Sequence, residues 1–434
     1  MYSEKCNENR RCQIAQTISK PTRATYYGLD AIRAYFFSKE LLSGQSVRSL
    51  DESVSKFGHL NRKFNFHIAK IDKKDNGYLL LSYRDVEKDI PAIELWDLSN
   101  QTMTYKWETK KACAKFTRGY VNCPGYFMSP VVLNDKSIVF NTQVNGNKLV
   151  RIDKDGNILH VNSSMMFHHK VHMDSKKNLY ATATKKNTYN DPGRGYAMSI
   201  VSLNKELEIE NEVNINDIYK DLGLTSKLYS SNSKDPIHVN DVEVLHQENE
   251  IIMLIKLRSP GSVIAYNATK DYTYWILDGI TKQGHDVDVI SADPLVISVF
   301  DNNIETPHEN ELIKTKTTKG NRVLFIHGLS LPKTREKTKI YTTLDSREGG
   351  PISIETVEFK KMKTPPTTIS AGLSEYNSKT GAIIVEDSNH GRIFSYNVNT
   401  KETEWEFINK NKSGDMYGRL GWSSLYKSNP ISED

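Results

Sequence analysis

Histidine stands at the start of three short runs that have the alternation of a β-strand, at His169, His238 and His285. An imidazole can donate or accept a hydrogen bond, and it can act as a nucleophile. Arg258 ends another predicted strand, and its guanidinium offers a fixed fork of donors. Three histidines and an arginine that meet at one opening are unsuited to a hydrophobic core, but together they would form a good anion-binding site.

These side chains can meet only if their strands are equivalent members of a repeat. Aligning the strands gives one shared position to His67, Ser129, His169, Asn240 and His285, with His238 two residues earlier in its strand. A second shared position, at the end of the next strand, is held by Arg258, Asp301 and Ser388. The alignment therefore predicts one common mouth, lined from several repeats.

A unit of four short strands recurs from about residue 64 onward, with turn residues between the strands. We count six copies, and units of about 40–50 residues with loop insertions are typical of propeller blades. Alternating strands also fit a two-sheet β-sandwich, but the repeated unit disfavours that arrangement. We predict an all-β fold, a six-bladed β-propeller over residues 62–434.

The two ends of the sequence differ from this repeat. Residues 1–61 contain apolar residues near helical spacing at 29–37, which predicts a short N-terminal extension of partly helical character. We place the innermost strand of the first blade at residues 66–71. Residues 418–426 are expected to close the ring by pairing with that blade.

Composition excludes several classes of protein. The chain has 58 Lys and Arg against 53 Asp and Glu, and its net charge of +5 is spread along the sequence, so no nucleic-acid partner is indicated. The sequence contains no run of 18 apolar residues, so no membrane-spanning helix is predicted. The N-terminus lacks the apolar core of a secretory signal, which predicts a cytoplasmic location unless a signal was removed.

The four cysteines lie away from the histidines, so we expect neither a metal nor a cofactor. Cys113 and Cys123 flank one loop, and the sequence leaves open whether they form a disulfide or are separate thiols.

The other histidines are expected to be structural: His67, His160, His172, His246, His308, His327 and His390. In a regular strand His168 should face opposite to His169. Asp241 and Asp286 are expected to fix the strand mouths, where the inner strands begin at the channel, by hydrogen bonds. Asn302 is expected to form a turn. The candidate substrate-binding residues are His168, Asn240, Asp301 and Asn303, although Asn303 also fits a turn.

The sequence resembles the arylsulfate sulfotransferase family, the PAPS-independent aryl sulfotransferases, over about residues 62–426. The resemblance rests on the paired histidines 168–169, the 237–243 motif, Arg258, the 283–286 motif and the Phe-Asp-Asn-Asn run at 300–303. It implies a six-bladed propeller that moves a sulfuryl group from an aryl sulfate to a phenol, by a ping-pong mechanism through a sulfohistidine. By the same resemblance His285 is the sulfated residue, and His238, Arg258 and His169 hold the sulfonate oxygens.

The resemblance also implies a periplasmic location, and a homodimer is left open. Two other functions fit the same sequence. One is a catalytically silent propeller whose loops bind a protein or a glycan. The other is a different propeller enzyme, such as a hydrolase or lyase, that uses the same anion pocket.

Overall fold

A computed structural model describes residues 47–49, 67–68, 77–88, 90–116, 126–142, 147–186, 196–226, 237–305, 317–332, 337–347, 349–377, 380–411 and 416–432. The chain divides into two units, Met1–Arg48 and Ser49–Asp434. The predicted helical extension lies outside the described residues, apart from a strand at Val47–Ser49. Its helical character and its boundary at residue 61 therefore stay predictions.

Over the described residues, the second unit is the predicted six-bladed β-propeller, with antiparallel sheets arranged in a ring. The strands of each blade are given from the centre outward. Blade 1 contains Ser424–Tyr426, Tyr78–Asp85, Ile90–Asp97 and Thr102–Trp107. Blade 2 contains Phe127–Val132, Ile138–Thr142, Leu149–Ile152 and Ile158–Asn162. Blade 3 contains Met166–Met173, Leu179–Lys186, Tyr196–Leu203 and Ile209–Asn214.

In the other half of the ring, blades 4 and 6 each have a fifth strand. Blade 4 contains Val239–Gln247, Glu250–Leu257, Ser262–Asn267 and Tyr272–Leu277, with Lys339–Tyr341 added in parallel at its outer edge. Blade 5 contains Asp286–Ala292, Leu295–Asp301, Arg322–Leu329 and Ser353–Glu358. Blade 6 contains Leu373–Asn377, Ala382–Asp387, Arg392–Asn397 and Glu402–Ile408, with His67–Ile68 at its outer edge.

The C-terminal strand closes the ring as predicted, because Ser424–Tyr426 pairs with Tyr78–Asp85. It is, however, the innermost strand of blade 1, the position that we predicted for residues 66–71. His67 instead pairs with Glu406 at the outer edge of blade 6. The alignment of His67 with the inner-strand residues was therefore wrong. The alternation of residues 66–71 fits any strand, so it could not distinguish an inner position from an outer one.

Apolar side chains fill the gaps between neighbouring blades. Between blades 4 and 5, for example, Leu254 and Trp275 pack in one cluster with Val299 and Leu324. Corresponding clusters lie in the other gaps around the ring. Because each blade packs on both of its faces, its middle strands are apolar runs without regular alternation, as in Glu250–Leu257.

Side chains near the axis connect the inner strand of one blade to the backbone of the next. Four such bonds are Val171 N–H to Ser129 Oγ (3.0 Å), Val287 N–H to Asp241 Oδ2 (2.9 Å), Ser374 N–H to Asp286 Oδ2 (2.9 Å) and Leu425 N–H to Glu375 Oε2 (2.9 Å). They satisfy inner-edge amides that have no further strand to pair with. The prediction that Asp241 and Asp286 hold the strand mouths by hydrogen bonds is confirmed.

The loops between the blade strands carry short elements. They contain the α-helices Lys110–Phe116 and Ile215–Asp221, a 3-10 turn at Ser388–His390, and a small hairpin of Ile304–Glu305 with Thr317–Thr318. Cys113 is disulfide-bonded, and its partner lies outside the described residues, so the question whether it pairs with Cys123 stays open. In the described part of the chain, no helix is both long enough and apolar enough to cross a membrane.

Candidate active site

The inner strands of blades 3 and 4 begin with irregular backbone. His169 has φ 55° and His238 has φ 47°, in the left-handed region that side chains other than glycine rarely adopt. The pairing register also shifts between Phe167 and Val171. This β-bulge breaks the alternation of the strand, so His168 and His169 both reach one cluster. The expectation that His168 faces away from His169 was therefore wrong.

Four imidazoles from three blades converge at the end of the central channel. His169 Nε2 lies 2.8 Å from His238 Nε2, so one of the two rings donates to the other. The ring centroids of His168 and His169 are 5.2 Å apart, those of His168 and His238 5.5 Å, and those of His169 and His285 5.7 Å. His168 is held from behind by Thr184, whose Oγ1 lies 2.8 Å from His168 Nε2.

Arg258 reaches the same place from the end of the second strand of blade 4. Its backbone N–H donates to His238 O at 2.9 Å. We call His168, His169, His238, His285 and Arg258 together the histidine mouth. The structure thus brings together all four of the predicted catalytic residues, with His168 beside them.

His285 is fully buried, and its orientation is fixed by Asn302. The Asn302 amide nitrogen donates to Thr368 O at 3.0 Å and to Ala371 O at 2.8 Å, which turns its Oδ1 toward His285. His285 Nδ1 lies 2.6 Å from that oxygen and must therefore carry the hydrogen. The lone pair is then on Nε2, which has no hydrogen-bond partner among the described residues. Sequence reasoning missed Asn302 by treating it as a turn former.

Two imidazoles of the mouth, those of His169 and His285, are held in the neutral form. Burial lowers the pKa of His169 well below its usual range, and His238, His168, His285 and Arg258 lower it further. Burial also lowers the pKa of His285, against the Asn302 hydrogen bond, which raises it. The charge of Arg258 again acts in the lowering direction. Neutral hydrogen-bond donors beside one positively charged guanidinium favour the binding of an anion. The neutral imidazole of His285 is a competent nucleophile.

Lys256 and Gly284 lie next to His285, and the sequence analysis assigned neither of them a role of its own. Lys256 is fully buried, and its Nζ donates to Leu257 O, Ser262 O and Thr281 Oγ1 at 2.9, 3.3 and 2.8 Å. Burial lowers the pKa of Lys256 to about 7. A Cβ on Gly284 would lie 2.6 Å from Phe300 O and 3.0 Å from Lys256 Cε, so only glycine fits beside His285.

The remaining predicted substrate-binding residues lie in different surroundings. Asn240 is fully buried and donates from Nδ2 to Gly284 O at 3.1 Å, which connects blades 4 and 5 next to His285. Asp301 accepts from Lys282 N (2.7 Å), Asn303 N (3.0 Å) and Arg322 Nε (2.8 Å).

The Asn303 side chain donates to Gly320 O at 3.1 Å. Asp301 and Asn303 therefore hold the turn after their strand, and their role in substrate binding stays a prediction.

Trp422 was also missed. Its side chain is 1% exposed, and its ring centroid lies 5.4 Å from that of His169 and 6.4 Å from that of His285. It precedes the closing strand of blade 1, far from the histidines in sequence. Only the closure of the ring brings it to the mouth.

Three of the histidines also have the geometry of a metal site. One nitrogen from each of His168, His169 and His238 lies within 4.8 Å of the others. Three neutral imidazoles are a common ligand set for Zn²⁺. The charge of Arg258 opposes a cation at this point and favours an anion.

A second cluster of ionisable groups lies one residue further along the same strands. Lys170 Nζ lies 3.3 Å from Asp241 Oδ1 and 3.7 Å from Asp286 Oδ1. We call Lys170 and the carboxyl groups around it the acidic layer; these are Asp241, Glu243, Asp286, Asp288 and Glu375. Burial alone would lower the pKa of Lys170, but Asp241 and Asp286 raise it well above its usual range. Lys170 is therefore charged.

Three solved structures that are similar to this chain are very distant from it in sequence. A protein of unknown function from Bacteroides caccae is 9% identical over 80% of this chain and 98% of that chain, with a TM-score of 0.45. The β-propeller domain of Cps50 (Swd1) from Myceliophteria thermophila is 7% identical over 82% and 99%, with a TM-score of 0.43. TolB from Acinetobacter baumannii is 9% identical over 81% and 67%, with a TM-score of 0.43. At these scores the likenesses carry no argument about this chain.

No curated protein matches the chain significantly. A family model described as arylsulfotransferase (ASST) matches residues 129–410, which is well over half of the sequence. That stretch contains most of blade 2, blades 3 to 5, most of blade 6 and every residue of the histidine mouth. The chain belongs to the arylsulfotransferase family.

Proposed function

We propose that this chain moves a sulfuryl group from an aryl sulfate to a phenol, through a covalent intermediate on Nε2 of His285. The observation that carries the proposal is the state of His285. Its Nδ1–H is held by Asn302, burial keeps the ring neutral, and its Nε2 has no partner among the described residues. A nucleophile needs this free lone pair beside donors that can hold the electrophile.

The first half-reaction forms the N–S bond. The lone pair of His285 Nε2 attacks sulfur, the bond from sulfur to the aryl oxygen breaks, and the phenolate leaves with the electron pair. The sulfonate oxygens are held by Arg258, His238 and His169. Preformed donors of this kind each contribute about 10²–10³ in rate. His285 keeps the hydrogen on Nδ1, which faces Asn302 throughout.

Proton transfer is assigned to the hydrogen-bonded pair of His169 and His238. The negative charge of a bound sulfate ester raises the pKa of adjacent imidazoles, so one ring of the pair can hold an extra proton when substrate is present. That proton goes to the departing phenolate. In the second half-reaction the acceptor phenol returns a proton to the pair, its oxygen attacks sulfur, and the N–S bond electrons return to Nε2.

His168 and Asn240 are proposed as supporting substrate-binding residues. His168 packs against both rings of the proton-transfer pair, and Asn240 borders Gly284 beside His285. Asp301 and Asn303, whose contacts hold the turn after their strand, stay predicted members of the substrate-binding set.

The test is mass spectrometry of the whole protein after exposure to 4-nitrophenyl sulfate without an acceptor. We expect a gain of one sulfuryl group on His285, and its loss when a phenol is added. His285→Ala should abolish both the mass gain and nitrophenol release. His160→Ala, in the outer strand of blade 2, is the matched control and should keep both. No nitrophenol across a panel of phenols, or a mass gain on another residue, would contradict the proposal.

A silent scaffold that binds a protein or a glycan is the less favoured alternative. Burying a polar atom without a partner costs stability, and a pure scaffold gains nothing from it. The buried Nε2 of His285 and Nδ1 of His169, both without a hydrogen-bond partner within the described chain, therefore favour the enzyme.

A further inference from the structure

The indole of Trp422 has an unused hydrogen-bond donor beside the histidine mouth. Trp422 Nε1 is buried and has no hydrogen-bond partner among the described residues. An indole nitrogen is a donor only, so a partner must bring an acceptor. Buried donors are almost always paired in native proteins, and an exception calls for an explanation.

Other indoles of the chain show the usual situation. Trp96 Nε1 donates to Glu94 Oε2 at 3.1 Å, Trp107 Nε1 to Lys136 O at 2.9 Å, and Trp275 Nε1 to Ser330 O at 3.1 Å. Trp107 and Trp275 are as deeply buried as Trp422. Of these four indoles, that of Trp422 alone has no hydrogen-bond partner among the described residues, and it is the one that lies at the mouth.

The backbone around Trp422 is held tightly. Trp422 has φ 61°, an unusual conformation for a bulky side chain that persists only when its surroundings impose it. Its N–H donates to Glu386 Oε1 at 3.0 Å, and the N–H of Ser423 donates to Glu386 Oε2 at 2.7 Å. The preceding Gly421 cannot carry a side chain, since a Cβ there would lie 2.2 Å from Phe127 O. The ring is thus fixed before any ligand arrives.

Two sets of neighbours surround the indole. One is the pair of His169 and His285. The other is an apolar cluster of Tyr126, Met128 and Leu373. His169 Nδ1 and His285 Nε2 are, like Trp422 Nε1, buried atoms without a hydrogen-bond partner in the described structure. The three open polar atoms lie on three neighbouring rings, whose centroids are 5.4–6.4 Å apart, and a ligand bound between these rings would supply partners for them.

We infer that Trp422 is a sulfuryl-binding residue, whose indole N–H donates to an oxygen of the sulfuryl group at His285. The inference rests on the proposed function and adds a residue outside the stretch that the family model matches. A sulfuryl group offers acceptor oxygens to Trp422 and Arg258 while its sulfur bonds to His285 Nε2. The closing strand of the propeller thereby completes the site.

The direct test follows the indole N–H signals of the full-length protein labelled with ¹⁵N-tryptophan. Trp422→Phe assigns the Trp422 resonance. We expect inorganic sulfate, and separately 4-nitrophenyl sulfate, to shift this resonance and to leave those of Trp107 and Trp275 in place. An unmoved Trp422 resonance on a chain that is sulfated at His285 would overturn the inference and leave the proposed function standing. If neither sulfation nor sulfate binding occurs, both fail.

Kinetics separates ligand binding from packing. Trp422→Phe removes the donor and keeps an aromatic ring, so kcat for sulfuryl transfer should fall about 10²-fold, as when one preformed donor is lost, with little change in KM. Trp275→Phe removes an equally buried indole far from the mouth and should keep kcat per folded molecule. A kcat for Trp422→Phe within about twofold of the parent value would overturn the inference, since the cited donor effect is far larger.

Discussion

The histidine mouth and the acidic layer are built from neighbouring residues of the same inner strands. His169 precedes Lys170, and His285 precedes Asp286. Both clusters are buried and polar, yet their hydrogen bonding differs. In the acidic layer Asp286 accepts the backbone N–H of Ser374, and it shares Lys170 with another carboxylate. In the mouth, His285 Nε2 has no partner among the described residues.

The contrast is between Asp286 and His285 and does not hold for every atom of the two clusters, because Asp288 Oδ2 in the acidic layer is also buried without a hydrogen-bond partner among the described residues. A buried carboxylate that accepts the amide of the next blade stabilises the ring, and removing its partner leaves a costly buried charge. A buried nitrogen without a partner costs stability in the free protein and is relieved only by a ligand. Substitutions in the acidic layer should therefore change stability, and those in the mouth should change activity.

The largest effect that tests this contrast is expected for Lys170→Met. It leaves Asp241 and Asp286 without their shared cation, and breaking a buried ion pair from one side costs about 3 kcal/mol or more. Urea unfolding at pH 7 measures the loss. Lys170→Met combined with Asp286→Asn should regain part of it, because the asparagine can still accept from Ser374.

Arg258→Met is the matched control from the mouth, since it also removes a cation. It should lower kcat by about 10²–10³ and change the free energy of unfolding much less than Lys170→Met does. If the two variants lose stability equally, or if Lys170→Met loses activity per folded molecule as Arg258→Met does, the contrast between the two regions is wrong.

The second prediction concerns how Asn302 positions His285. Asn302→Ala removes the acceptor that fixes the Nδ1–H tautomer, and kcat should fall about 10- to 100-fold, as for other partners that orient a reactive imidazole. The hydrogen bond raises the pKa of His285, so its loss lowers that pKa further. Since the reaction needs neutral His285, the acidic limb of kcat/KM should move to lower pH.

Asn409→Ala controls for the structural part of this effect. Asn409 is an equally buried amide that donates to two carbonyls, Arg84 O and Gly418 O, and it lies away from the mouth. Both variants should lose similar stability in thermal unfolding. An acidic limb that shifts alike in both, or in neither, would show that Asn302 has no specific effect on His285.

The sequence was sufficient to predict the fold because the fold is built from a repeated unit. Strand runs that recur at blade length predict a propeller, and equivalent positions in a propeller face one axis, which brought His169, His238 and His285 together. Ring closure by the last strand was predicted for the same reason. The position of His67 was not, because a short alternating run does not say which edge of a sheet it occupies.

The parts of the site that the sequence did not reveal depend on tertiary contacts. Asn302 orients His285 only because Thr368 and Ala371 of the following segment hold its amide nitrogen. Trp422 reaches the mouth only through ring closure. His168 turns inward only because of a bulge, and hydrophobic periodicity carries no signal for a bulge.

The smallest effect is expected for Glu375→Gln in the acidic layer, measured as stability against pH. Glu375 Oε2 accepts the N–H of Leu425 where blade 6 meets the closing strand, and burial raises the pKa of Glu375 to about 7. An unfolded glutamate has a pKa of about 4.3. Between these values the folded chain binds the proton more tightly, so this carboxyl contributes a loss of stability as the pH rises from about 4 to 7.

Glutamine cannot ionise, and its side-chain oxygen can still accept from Leu425. Glu375→Gln should therefore become more stable relative to the parent protein as the pH rises. The difference in the free energy of unfolding should change by about 1–2 kcal/mol between pH 5 and pH 8. Urea unfolding at each unit of pH measures this difference. Glu402→Gln, at an exposed position in the fourth strand of blade 6, should follow the parent at every pH. A Glu375→Gln curve parallel to that of the parent would mean that Glu375 is already ionised at the blade junction. The acidic layer would then be a set of charged contacts, and its stability should depend on Lys170 even more strongly than the first prediction states.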